Sequence, residues 1–279
     1  MISSLFQFEF LRNAFLAGII IGLIAPLLGA FIVVRRLSLI ADALSHVTLA
    51  GISASVLLEK KFGVMAGVTP IYMGMIFSVI GSLFIEKLRR VYKHYQELAI
   101  PIILSGGIGV SVLLISLADG FNNDLFNYLF GSVSAVSRAD LWTIIGIAIF
   151  VIAVIILFYK ELFVLSFDEE HAAASGVKAR GIHFVFILMV ALVIASSMRI
   201  VGVLLVSALM TLPVAASIRL ANGFKQTIVF AIIFGEISVV GGLFSAYYLD
   251  LAPGGTIVIL AILILVISIL INKGRGGRK

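Results

Sequence analysis

The chain has 279 residues, of which 62% are hydrophobic and only 12% charged, with a net charge of +6 and no cysteine. A soluble domain carries roughly 25% charged residues, so an aqueous fold is excluded. Without cysteine, thiolate metal sites, disulfides and cysteine nucleophiles are excluded as well.

In chain order, apolar runs fall near residues 13–34, 39–58, 63–85, 98–118, 141–159, 181–198, 200–218, 226–249 and 253–271. Each has about the 18–25 residues that a helix needs to cross ~30 Å of hydrocarbon. They predict an all-α integral membrane protein, a polytopic helical bundle of about nine transmembrane helices (eight to ten). The short run 200–218 is also compatible with a re-entrant segment. One transmembrane domain over 1–279 accounts for the chain. The first run is too long for the apolar core of a secretory signal and lacks a basic stretch before it, so it reads as a retained helix.

Basic residues punctuate this pattern. Arg35 and Arg36 follow the first run, Lys87, Arg89, Arg90 and Lys93 the third, Lys160, Lys178 and Arg180 the fifth, Arg219 and Lys225 the seventh, and Lys273, Arg275, Arg278 and Lys279 the last. The positive-inside rule puts the ends of all odd-numbered runs in the cytoplasm. The N-terminus is then outside and the C-terminus inside, and the surplus charge reports orientation, not nucleic-acid binding. Residues 119–140, rich in Asn, Ser, Asp and aromatics, fall outside, as a solvated connector, a face for a partner or a cover over a path. Glycines at 18, 22, 29, 106, 107, 109, 241 and 242 suit close helix packing in lipid.

Setting aside the ends of the runs, three ionisable side chains remain in mid-span: Asp42, His46 and Glu236. A charge at bilayer depth costs at least ~2.5 kcal/mol on insertion scales, so such groups are rare and usually line a pathway. Asp42 and His46 are four apart and share a helix face. At 1.5 Å per residue, Asp42 and His46 lie about 9 and 15 Å beyond Arg36, and Glu236 about 16 Å beyond Lys225. Carboxylate and imidazole suit Mn, Fe or Zn, whereas Cu(I) favours sulfur. The three side chains are therefore candidate metal ligands. The competing reading is a buried polar knot, with Asp42 bonded to backbone or to His46. The hydroxyls of Ser45, Thr48 and Ser238 are expected to bond back to their own helices.

The polar stretch 166–178, on the cytoplasmic side of this topology, predicts a short helix. Ser166 or Asp168 caps it, Glu169 and Glu170 fill its first turn, and Gly176 ends it. Its small-residue face is one a docked partner would grip, and a plain helical connector is the alternative.

Several stretches are recognisable. Gly29-Ala-Phe-Ile-Val-Val-Arg-Arg-Leu-Ser-Leu-Ile-Ala-Asp-Ala-Leu-Ser-His-Val-Thr-Leu-Ala-Gly51 closely resembles the second-span signature of the ABC-type manganese/zinc/iron permeases. The stretches from Arg199 to Ala216 and from Leu129 to Leu141 are similar to that family too, and the turn with Asp168, Glu170, Ala172 and Gly176 resembles its coupling helix.

The resemblance implies a permease like those of type II ABC importers, in a bacterial cytoplasmic membrane. It implies a homodimer, two cytoplasmic ABC ATPase subunits and an extracytoplasmic metal-binding lipoprotein. Asp42, His46 and Glu236 would match the family's intramembrane cation site, and Asp168, Glu169, Glu170, His171, Ala172 and Gly176 its ATPase-coupling turn. Mn2+ or Zn2+ would be substrate, with no permanently bound cofactor. The chain has no G-x-x-x-x-G-K-[ST] pattern, so it is not itself the ATPase and is expected not to be an enzyme. Arg36 would stand at the cytoplasmic exit as a gate against backflow. The alternatives are a siderophore- or cobalamin-type permease and a stand-alone secondary cation carrier. An intramembrane metalloenzyme would need a motif such as H-E-x-x-H, which is missing.

Overall fold

A computed structural model describes residues 8–63, 68–118, 120, 123–168, 172 and 174–274. In chain order its helices are α1 (Glu9–Val34), α2 (Leu39–Phe62), α3 (Pro70–Val91), α4 (Ala99–Leu117), α5 (Asn123–Phe130), α6 (Arg138–Leu157), α7 (Tyr159–Phe167), α8 (Ala179–Val201), α9 (Val203–Leu220), α10 (Phe224–Leu249) and α11 (Pro253–Gly274). All except α5 and α7 are long and apolar enough to cross a membrane, which makes nine spans among the described residues, with no strand. The 200–218 run, short enough to re-enter, is the full helix α9.

Local chemistry sets the boundaries. Pro70 and Pro253 open α3 and α11, where a missing N–H costs no helical bond. A capping box starts α6: the Ser137 hydroxyl accepts from Asp140 N–H while the Asp140 carboxylate accepts from Ser137 N–H. Between α8 and α9 the chain turns at Gly202, with φ 85° and ψ 153°, a backbone region essentially reserved for glycine.

α1 is central, packed on α10, α9, α6 and α8. To one side α2, α3 and α4 form a sub-bundle, and to the other α9, α10 and α11 form a second. Large apolar side chains left outside include Val112 and Leu113 on α4, Ile149 and Ile156 on α6, and Leu263 and Leu270 on α11. Lipid tails are as apolar as these side chains, so outward placement carries no penalty there, and close packing drives helix association instead. Glycine supplies that closeness selectively. In α4, a Cβ at Gly106 or Gly109 would meet open space, whereas one at Gly107 would press on the α2 backbone.

Residues 119–140 are not a plain solvated connector. Within them α5 packs on α8, α9 and α11, with Leu125 and Tyr128 buried.

Candidate ion site and the two ends of the bundle

α2 begins at Leu39, so Asp42 lies in its first turn and His46 one turn further. A carboxylate there also faces the positive end of the helix dipole. Both side chains are half-buried. The adjoining surface of the helix is clamped: a Cβ at Gly107 of α4 would come 3.0 Å from Val47 N and 3.2 Å from the His46 carbonyl carbon, and one at Gly81 of α3 would come 2.8 Å from Val47 Cγ1. Backbone-close packing on α3 and α4 thus fixes the depth and rotation of His46.

Glu236 is half-buried on α10, and its carboxyl lies against α1, where a Cβ at Gly22 would sit 3.3 Å from Cδ and from both oxygens. α10 packs on α1, α9 and α11, while α2 packs on α3, α4, α8 and α9. The two ligand-bearing helices are not a packed pair, and α9 is the neighbour they share. Among the described residues no three of His, Cys, Asp and Glu gather closely enough to hold a metal ion. One chain therefore places Asp42 and His46 on one face and keeps Glu236 on a separate helix.

No hydrogen bond or ion pair among the described residues engages Asp42, His46 or Glu236. The nearby hydroxyls bond back along their own helices as expected: Ser45 donates to Ala41 O at 2.8 Å, Thr48 to Leu44 O at 2.7 Å and Ser238 to Phe234 O at 2.7 Å.

Arg36 is exposed at the α1–α2 corner in the left-handed region, with φ 57°. In the turn before α8, Ser166 is no cap: it lies inside α7 and donates to Leu162 O at 2.6 Å. Asp168 is extended, its carbonyl accepts from Ala172 N–H at 3.1 Å, Ala172 is fully buried, and Gly176 turns the chain at φ 82°. Glu169, Glu170 and His171 lie outside the described residues.

The profile of the ABC 3 transport family matches residues 7–272. The chain belongs to this family. It is 37% identical over 96% of its length to a probable metal transport system membrane protein of Treponema pallidum, covering 97% of that protein. It is 34% identical over 99% of its length to the manganese transport system membrane protein MntC of Listeria monocytogenes, covering 95% of it. Among solved structures it resembles a chain of PsaBC from Streptococcus pneumoniae, solved in complex with Fab, with a TM-score of 0.82 and 31% identity over 96% of this chain and 93% of that one.

Two stretches that carry the family likeness meet at one end of the bundle. Arg199 Nη1 donates to Asp140 Oδ2 and, at 3.1 Å, to Ala135 O, while Nε and Nη2 reach Tyr128 Oη at 3.2 and 3.0 Å. Ser132 N–H donates to Arg199 O at 2.9 Å. Any side chain at Gly131 would collide with the Ile200 carbonyl, and at Gly202 with that of Leu129. Beside this knot a cavity of about 540 Å3 is lined by Glu59 at the far end of α2, Thr69, Tyr128, Ser134, Ser137 and Arg199.

A second knot lies at the other end of α8. His183 is 3% exposed. Its Nδ1 faces Arg35 Nη2, and its Nε2 lies 3.0 Å from Arg89 Nη1 and 3.1 Å from Glu86 Oε2. Glu86 Oε1 accepts from Arg90, and the Arg35 guanidinium lies over the Phe186 ring at 5.1 Å. Sequence reading missed this group because Glu86 and His183 sit near the ends of their runs, where ionisable residues are ordinary. The signal was an acid and a histidine placed among arginines at one membrane level.

Proposed function

We propose that this chain is the membrane-spanning permease subunit of an ATP-driven importer of divalent transition-metal ions, with manganese as the first choice of substrate and zinc as the second. It works as a homodimer in a bacterial cytoplasmic membrane, with its basic ends and C-terminus in the cytoplasm. Separate ABC ATPase subunits hydrolyse ATP, and an extracytoplasmic metal-binding lipoprotein delivers the ion. Full-length similarity to proteins named as manganese systems in Listeria and Streptococcus supports the substrate class. Membership of the ABC 3 transport family supports a partner ATPase over a stand-alone carrier.

The observation that carries the site is contrast. The buried charges at both ends of α8 are engaged with partners, whereas Asp42 in the first turn of α2, His46 one turn on and Glu236 midway along α10 have no hydrogen bond or ion pair among the described residues. A structural knot would consume these groups, and a path leaves them available. The ion enters at the cavity holding Glu59, about 20 Å from His46 along α2 at 1.5 Å per residue. The His46 nitrogen and the Asp42 carboxylate take it up, with water or the second copy completing a shell loose enough to release it. Glu236 contributes a further carboxylate from α10, and Arg36 at the exit opposes backflow. The turn holding Asp168, Glu169, Glu170, His171, Ala172 and Gly176 is the contact for the ATPase.

The test is Mn2+ and Zn2+ uptake into proteoliposomes holding the permease with its ATPase and binding protein. Asp42→Ala and His46→Ala are each expected to abolish uptake while the ATPase still co-purifies. Unimpaired uptake in both overturns the site. Gly176→Leu is expected instead to release the ATPase or uncouple its turnover from transport.

A further inference from the structure

We propose that the Arg35–His183–Glu86–Arg89 group is a proton-sensitive latch that holds the ends of α1, α3 and α8 together at the cytoplasmic mouth. A neutral imidazole has one N–H donor and one acceptor, and an arginine has donors only. Two guanidinium groups nevertheless face the two ring nitrogens of His183: Arg35 at Nδ1 and Arg89 at Nε2. The ring can accept from only one of them. Glu86 Oε2, 3.1 Å from Nε2, needs a donor, and the angle leaves it without an aligned hydrogen bond. The arrangement that satisfies most groups is a neutral ring whose Nδ1 accepts from Arg35 and whose Nε2–H is directed at Glu86. Arg89 then serves Glu86 by charge and Gln96 by a 3.1 Å bond.

Protonating this ring removes its only lone pair. The imidazolium would set an N–H and a positive charge directly against Arg35, with Glu86 as the acid that faces the ring. Among the described residues the charged groups facing the ring are Arg35 from α1 and Glu86 and Arg89 from α3, so protonation adds a third positive charge beside the Glu86 carboxylate in a nearly dry site. Arg35 is the member that must leave. It is also the last residue before the corner that leads, through Arg36, into the first turn of α2 and Asp42. Releasing it frees the end of α1 from α3 and α8, on the side where the ion departs. An acid change at that face, with His183 as the sensor, therefore loosens the mouth.

The latch rests on the cytoplasmic assignment of this end, and its test does not require transport. The chain has no native cysteine, so Ser38→Cys and His94→Cys, both exposed and flanking the α1 corner and the end of α3, accept spin labels without further change. Distances are read by pulsed electron resonance on the full chain in nanodiscs, without metal or ATP, from about pH 8 to about pH 4, a span that reaches well below ordinary imidazole titration. The parent pair is expected to shift to longer distances on acidification. In the His183→Gln background the amide accepts from Arg35 and donates to Glu86 at any pH, so the short distance persists throughout. In Arg35→Met the long distance appears at both ends of the range. An unchanged distance in the parent overturns the latch. So does a shift in His183→Gln equal to the parent's, or an Arg35→Met profile identical to the parent's should the glutamine variant not fold. A working latch with no metal uptake would instead point to failure of the transport reading.

Discussion

α8 ends in a buried arginine contact on each side, and the two contacts differ in how donors meet acceptors. Around Arg199 every donated bond finds an oxygen: the Asp140 carboxylate, the Ala135 carbonyl and the Tyr128 hydroxyl. Asp140 is in turn held by the backbone N–H and hydroxyl of Ser137, at 2.9 and 2.6 Å. Around His183 two arginines compete for one imidazole lone pair, and a carboxylate oxygen lacks an aligned donor. The first is a rivet joining α5, α6 and α8. The second is built to be undone. A transporter that opens toward one side at a time needs both kinds of contact, because an end that must part cannot be fully satisfied while closed.

Breaking each contact sharpens the distinction. The largest loss is expected for Arg199→Ala, which strands the buried Asp140 carboxylate, 6% exposed. Removing one partner of a buried pair typically costs about 3–5 kcal/mol, so the denaturant midpoint of the purified protein should fall sharply. Next is Gly202→Ala at the same end, where φ 85° and the Leu129 carbonyl leave no room for a Cβ. Backbone strain of about 1–3 kcal/mol is expected from the same unfolding measurement. At the opposite end Glu86→Gln should cost less, about 1 kcal/mol, because its hydrogen bonds are already incomplete. Smallest is Asp42→Asn, which among the described residues has no hydrogen-bond or ion-pair partner to strand and should change stability by less than about 1 kcal/mol while losing metal uptake. A stability loss at Asp42 as large as that at Arg199 would make it part of a knot and remove it from the path.

The nine spans were legible because helix length and apolarity are local properties, matched to a slab of fixed thickness. The same holds for the shared face of Asp42 and His46, which the 3.6-residue turn fixes, and for the hydroxyls of Ser45, Thr48 and Ser238. What escaped were contacts between distant segments. Arg199 and Asp140 are 59 residues apart, and Arg35 and His183 are 148 apart. Nothing in either neighbourhood distinguishes a residue that turns inward from one that meets solvent. Arg35 and Arg36 show this plainly: adjacent and chemically identical, one is folded onto Phe186 and His183 while the other is exposed at the corner. Equal depth of His46 and Glu236 says nothing about which helices are neighbours: α10 packs on α1, α9 and α11, and α2 on α3, α4, α8 and α9.

By itself, the sequence determined that the chain crosses a membrane about nine times and carries three ionisable groups within its apolar runs, because the cost of placing charge in hydrocarbon is set residue by residue. Only the tertiary structure decided which of the described charges are consumed in knots. That choice depends on which helices glycine lets approach, such as α2 on α4 at Gly107 and α10 on α1 at Gly22. In lipid, apolar burial does not select helix partners, so steric fit does.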